Sequence, residues 1–250
     1  MSNIISIHSF RRGLGKTNLA ANVAALLAQR GRRVGVLDFD LHAPTLHFVF
    51  GLPESESSLT FNDHLRGRCT IDQAAHDVTP SEVEPGRIYL VPASTAMGEI
   101  AWALRQRRDV DALNDSLTTL IKTLRLDALI VDTYAGLDEE TLFAMAVADR
   151  VLILLHPSQH DYQGTAVMVD VARKLEVPGI YLVANEVPHG LDEPSTQRTL
   201  EETFDCPLAA MLPHCDELTA LGSADLFVQR YPMHPFTERL NAIVDRIAVS

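Results

Sequence analysis

A chain of 250 residues that is 46% apolar and 22% charged has the material for one large α/β domain with its own core, expected to span 1–250. No apolar run approaches the roughly 18 to 20 residues of a membrane span, and Arg11 and Arg12 interrupt the first segment before a signal-like apolar region develops, so a cytoplasmic location is expected. The formal charge of −12 argues against a broad, sequence-independent grip on nucleic acid.

The first apolar run, Ile4 to His8, is short and β-branched, as suits a buried strand. A helix is predicted after it, because Leu19, Val23, Leu26 and Leu27 recur at helical spacing and Gly31 stands where a helix stop is expected. Between them lies Ser9-Phe10-Arg11-Arg12-Gly13-Leu14-Gly15-Lys16-Thr17. A glycine-bearing turn between strand and helix presents backbone N–H groups and the positive end of a helix dipole, which together cradle phosphate. Lys16 is placed to reach the β- and γ-phosphates of a nucleotide, and the Thr17 hydroxyl to serve Mg²⁺. The full pattern G-x-x-x-x-G-K-[ST] fails, since Phe10 occupies its first glycine. The remnant alone would also suit a helix-capping turn with an exposed lysine, so the rest of the chain must decide.

Arg33 to Leu37 reads as a second buried strand that delivers Asp38-Phe39-Asp40 to its C-terminal end, the edge where α/β sheets place ligands. Leu41 to Thr45 cannot be regular helix through Pro44 and reads as a loop. Pro53 to Ser58 reads as a surface connection, with short helical pieces at Phe61–Leu65 and Ile71–Ala75. A strand is predicted from Arg87 to Pro92 and a helix from Val110 to Leu124. Arg105, Arg107 and Arg108 beside Trp102 read as a solvated helix end whose stems cover apolar surface.

The next strand, Ala128 to Val131, ends at Asp132-Thr133-Tyr134-Ala135-Gly136, and an acid there can hold Mg²⁺ through a water. Asp138, Glu139 and Glu140 are expected to open the following helix. Strands at Val151–Leu155 and Gly179–Ala184, a helix ending near Leu175, Asn185 at a strand end, and a last short strand over Pro207–Pro213 complete the alternation. Repeated β–α units of this kind predict a three-layer α/β/α sandwich around a mostly parallel, doubly wound sheet. The cysteines, Cys69, Cys206 and Cys215, lack CxxC spacing and give no sign of a disulfide framework or cluster site.

In this order the motifs resemble the MinD/ParA family of deviant Walker A ATPases over essentially the whole chain. Arg11 to Thr17 is similar to that family's K-G-G-x-G-K-[ST] loop, Asp38-Phe39-Asp40 to its first switch, Asp132 to Gly136 to its D-[ST]-P-A-G second switch, and Pro213-His214-Cys215-Asp216 to its late P-x-x-D loop. The resemblance implies ATP or ADP with Mg²⁺ as cofactors. Arg12, Gly13, Leu14, Gly15, Lys16, Thr17, Asn18, Asn185, Pro213 and Asp216 would surround the nucleotide, with Asn185 at the adenine. Asp38, Asp40, Asp132 and Gly136 would belong to the switches, Asp40 orienting the attacking water. Thr17 would hold the metal directly and Asp132 through water. The family works as an ATP-bound homodimer in which a lysine crosses to the other subunit's nucleotide. Arg11 holds that position here and keeps its charge.

Two departures stand out: Arg12 replaces a family glycine and Tyr134 a family proline. The expected function is slow, partner-stimulated ATP hydrolysis that positions or recruits a protein partner; specific nucleic-acid binding is not expected. A nucleotide-locked adaptor is the alternative, and an iron–sulfur carrier a more distant one, since CxxC is lacking. Family members often meet membranes peripherally through a C-terminal helix. Here Leu240, Ile243, Val244 and Ile247 form an apolar stripe, but the other face mixes Glu238, Arg239, Asp245 and Arg246, so packing on the sheet is expected instead.

Overall fold

The unbroken apolar runs assemble into one sheet. In the computed structural model, which describes residues 3–53 and 58–247, its strands are β1 (Asn3–Ser9), β2 (Arg33–Phe39), β3 (His76–Asp77), β4 (Arg87–Val91), β5 (Ala128–Thr133), β6 (Arg150–Leu155), β7 (Gly179–Val187) and β8 (Leu208–Pro213). Their order is β3-β4-β2-β5-β1-β6-β7-β8, parallel throughout except for β3, which runs antiparallel to β4 at the edge. From β1 the chain moves outwards on one side through β2 and β4, returns to β5, and then builds the other side through β6, β7 and β8. Such a reversal opens a crevice at the C-terminal strand ends.

Alternating side chains feed two faces. Ala128 and Ile130 of β5, with Leu152 and Leu154 of β6, pack with the helices Lys16–Gln29 and Pro235–Ile247. On the opposite face Leu129 and Val131 meet the helix Val110–Leu124, while Val151, Ile153 and Leu155 meet Gln159–Lys174 and Glu193–Phe204. The result is the predicted α/β/α sandwich. The hydrogen-bond register then fixes the functional edge: Asp132 on β5 is the partner of Asp38 on β2 and of Ile7 on β1.

Helix ends follow local chemistry. Asp109 caps Val110–Leu124 by accepting from the N–H groups of Asp111 and Ala112, and Asp138 caps Glu139–Ala146 in a reciprocal pair with Thr141. In Pro235–Ile247 the stripe Leu240, Ile243, Val244 and Ile247 is fully buried, and Arg30 pairs with Asp245 at 2.7 Å across the contact with the first helix. The stripe therefore packs inward, as expected. No helix among the described residues is long and apolar enough to cross a membrane.

Three expectations need correction or completion. Ile71–Ala75 is not helical; it forms consecutive turns, Ala74 N–H donating to Ile71 and Ala75 N–H to Asp72, because the chain must straighten at once into the edge strand β3. The surface connection expected over Pro53–Ser58 lies mostly outside the described residues. In the arginine cluster, Arg108 has a side chain only 7% exposed and lies 3.5 Å from Glu140, while Arg66 stacks 4.1 Å over Trp102. Both Arg108 and Trp102 thus serve internal packing.

Candidate functional site

The loop after β1 is shaped by its glycines. Gly13 and Gly15 take φ of 79° and 85°, a region that penalises L side chains, whereas Arg12 lies outside the left-handed region and carries no such strain. Ser9 organises the loop from below: its Oγ donates to the Arg11 carbonyl at 2.6 Å and accepts from Lys16 Nζ at 3.0 Å. Lys16 is 8% exposed, and burial lowers its pKa, against the pull of Asp132 and Asp40. It is held ready beneath the loop amides.

Asn185, at the end of β7, donates to the Leu14 carbonyl at 2.8 Å. A Cβ added to Gly15 would fall 2.7 Å from Asn185 Nδ2, so a side chain there would push the Asn185 amide off the Leu14 carbonyl besides meeting the φ penalty. Asn18 and Ser223 share hydrogen bonds at 3.1 and 3.2 Å, and Asn22 Oδ1 accepts from the Val228 N–H at 2.9 Å. These contacts bring the C-terminal third of the chain over the first helix.

Two adjoining cavities result. One, of about 320 Å³, is lined by Arg12, Gly13, Gly15, Lys16, Thr17, Asn18, Asp40, Ala43, Thr45, Ala135 and Ser223. The other, of about 190 Å³, shares Gly13, Gly15, Asn18 and Ser223 and continues past Asn185, Leu212 and Leu218 to Phe236. A cavity lined by Arg12, Lys16 and Asp40 and an extension lined by Leu212, Leu218 and Phe236 beside Asn185 suit the phosphates and the base of one nucleotide. Pro213 and Asp216 flank the second cavity without lining it. There His214 bridges Glu186 at 2.5 Å and Asp216 at 3.2 Å, and the Glu186 bond chiefly raises the imidazole's pKa.

Three carboxylates gather at this sheet edge, Asp40 lining the cavity over Lys16 and Asp132 and Asp38 buried behind it. Asp132 is 1% exposed; its Oδ2 accepts from the Thr17 hydroxyl at 2.7 Å, while its Oδ1 is buried without a hydrogen-bond partner. Burial raises its carboxyl to about 7. An orphaned buried oxygen beside a hydroxyl is a donor set that fits a hard divalent cation such as Mg²⁺. Asp38 is fully buried and accepts from the N–H groups of Asp40 and Leu46, with burial and then Asp132 pushing its carboxyl well up. Asp40 uses Oδ1 to hold the N–H groups of His42 and Ala43, which turns the chain directly after the strand.

The loop after Asp132 is anchored from beneath. Gly136 N–H donates to the Ser9 carbonyl at 2.9 Å, with φ 95° at the glycine. Thr133 Oγ1 donates to the Ile7 carbonyl at 2.7 Å and lies 3.1 Å from His8 Nδ1, whose Nε2 is 2.6 Å from Ser6 Oγ. Burial, with Lys16 nearby, lowers His8 to about 3, so the imidazole is neutral. Arg11 takes a different course from Arg12. Its guanidinium forms a two-pronged pair with Asp161 of its own chain through Nε and Nη2, the latter at 2.8 Å. Asp161 is 1% exposed and also accepts from His156 N–H; burial alone would raise its carboxyl, but the Arg11 and His156 bonds hold it below the usual range.

Most of the predicted residues therefore converge. Asn22, Ser223 and Glu186 were not foreseen, because each acts through a partner distant in sequence, and Ser9 was given no role although its partners Arg11 and Lys16 are local. The only local hint was Ser9 opening the loop.

A family model described as an AAA domain matches residues 2–177. An uncharacterised ATP-binding protein of Methanocaldococcus jannaschii is 26% identical over 252 aligned residues, covering 99% of this chain and 88% of that protein. Among solved structures, the cell division ATPase MinD of Pyrococcus furiosus superposes with a TM-score of 0.83 at 23% identity, over 99% of this chain and 98% of that one. The septum site-determining protein MinD of Pyrococcus horikoshii complexed with Mg-ADP does so with a TM-score of 0.81 at 21% identity, over 99% and 96%. With its deviant phosphate loop, parallel-strand acids and eight-stranded sheet, the chain belongs to the MinD/ParA family of P-loop ATPases.

Proposed function

We propose that this chain is a Mg-ATP-dependent switch that homodimerises with ATP bound, hydrolyses it slowly under the influence of a protein partner, and uses that cycle to position or recruit the partner. The observation that carries the reading is the convergence of Lys16, Thr17 and Asp40 on one cavity, with Asp132 hydrogen-bonded to Thr17 behind it. Lys16 and the loop amides would neutralise phosphate charge, and Asn18 and Asn185 would border the nucleotide. Thr17 and Asp132 would hold Mg²⁺, which would polarise the phosphate oxygens when bound. Asp40 would orient the attacking water, with its Oδ1 fixing the loop that must close over the γ-phosphate. Asp38 and Gly136 would transmit that closure through the strand ends, and Arg11 would cross to the other subunit's nucleotide, leaving Asp161 as it does so.

Light scattering after size exclusion tests the reading, with ADP, ATP and a slowly hydrolysed ATP analogue. Wild type should double its mass with ATP or the analogue and remain monomeric with ADP. Lys16→Ala should lose nucleotide binding, and Asp40→Ala should persist as the ATP dimer. A wild-type mass unchanged by ATP at saturation overturns the switch. ATP dimerisation without single-turnover hydrolysis would favour the nucleotide-locked adaptor.

A further inference from the structure

Two of the positions where the chain departs from its family touch each other. The Arg12 guanidinium lies 4.3 Å from the centre of the Tyr134 ring, and the other face of that ring is stacked on His42 at 3.9 Å with an interplanar angle of 21°. This column joins three loops: the phosphate loop, the segment after Asp40 and the segment after Asp132. Nothing in either local sequence announces it.

Stacking engages the face of a guanidinium and leaves its N–H edge free. Among the described residues no acceptor holds the Arg12 side chain, in contrast to Arg11, whose fork is closed on Asp161. Arg12 is exposed and lines the phosphate cavity on the side of Asp40, Ala43 and Ala135, while the base-side cavity does not include it. Its unengaged fork thus stands where the far end of a triphosphate would lie.

We propose that Arg12 is a phosphate-binding residue that contacts the terminal phosphate of the bound nucleotide, and that Tyr134 is its positioning residue. The inference rests on the reading of this cavity as an ATP site. A planar five-donor group can hold two phosphate oxygens at once, which a glycine at this position cannot do. The aromatic face limits the directions in which that fork can point, and a proline at position 134 would offer no such face. Arg12 and Tyr134 act as one unit, and each accounts for the other's presence.

Equilibrium binding of fluorescent ATP and ADP analogues, with Mg²⁺, tests the unit in full-length protein. Arg12→Ala should weaken ATP by about tenfold or more, the size of one hydrogen bond to a charged group, and ADP by less than about twofold. Tyr134→Ala should shift the ATP-to-ADP ratio in the same direction, whereas Tyr134→Phe, which keeps the ring face, should retain the wild-type ratio. Arg12→Ala lowering both nucleotides equally, or neither, overturns the proposal, as does Tyr134→Phe behaving like Tyr134→Ala. Lys16→Ala that still binds both nucleotides would instead overturn the ATP-site reading underneath it.

Discussion

The Thr17 hydroxyl donates to Asp132 Oδ2 across 2.7 Å, linking the first turn of the first helix to the end of β5. The other oxygen of that carboxylate is buried without a partner. Asp132→Asn keeps the shape but removes the negative charge and replaces one carboxylate oxygen by an NH2 group, which donates and cannot accept. We expect nucleotide affinity in the variant to respond to Mg²⁺ against EDTA at least about tenfold less than in wild type, a loss comparable to one charged contact. Fluorescent-nucleotide titrations with and without metal measure it; an undiminished Mg²⁺ response would remove Asp132 from the metal site.

His8 carries a pH dependence that can be read in stability. Its imidazole sits at about 3 in the fold against an ordinary 6.5, because burial disfavours its charged form. The unfolded chain therefore takes up a proton first. Stability from this residue is complete above 6.5 and is lost as pH falls towards about 3, at up to about 1.4 kcal/mol per pH unit. His8→Gln retains polar contacts for Ser6 and Thr133 without the titration. Urea midpoints between pH 7 and pH 4 should fall more steeply for wild type than for the variant, and parallel curves would contradict the assignment.

Gly15 meets two separate demands, and a double variant separates them. Gly15→Ala places a Cβ 2.7 Å from Asn185 Nδ2 and forces alanine to φ 85°. Nucleotide binding should be lost, with the helix content of the protein preserved by circular dichroism. Judged against Asn185→Ala alone, which carries the asparagine's own contribution, Gly15→Ala/Asn185→Ala should still bind more weakly, since about 1–2 kcal/mol of left-handed backbone penalty remains. Equal binding would show that contact alone selects the glycine.

Arg11 and Asp161 set a competition between a subunit's own ion pair and a contact across a dimer. Arg11→Ala leaves Asp161, 1% exposed, with the His156 N–H as the one remaining partner of its side chain among the described residues, so a loss of stability is expected, visible as a lower melting temperature. If Arg11 also crosses to the other nucleotide, ATP-dependent dimerisation and turnover fall as well. Both left unchanged would confine Arg11 to its own subunit.

Much of this site was legible because its chemistry is local. Ile4–His8, Ala128–Val131 and Val151–Leu155 announce themselves as buried strands, and an acid directly after a strand has to emerge at the strand's C-terminal end. The helix Val110–Leu124 followed from spacing alone. What could not be read depends on partners far apart in sequence. The turns at Ile71–Ala75 have helical composition but too little length before the edge strand. Arg12 and Tyr134 each look like defects in a motif until folding brings them 4.3 Å apart. Ser223, which meets Asn18 at the start of the first helix, carries no such local signal.

The register of β5 against β2 gives the molecule a ruler. Asp38 and Asp132 are paired across two strands whose residues advance about 3.3 Å each, so one residue added inside either strand would displace one acid by that distance and turn it to the opposite face. Loops away from the C-terminal edge can change length freely, since they do not enter this measurement. Descendants of such a chain can therefore acquire new surfaces for new partners while the spacing of their acids stays locked to the pleat of the sheet.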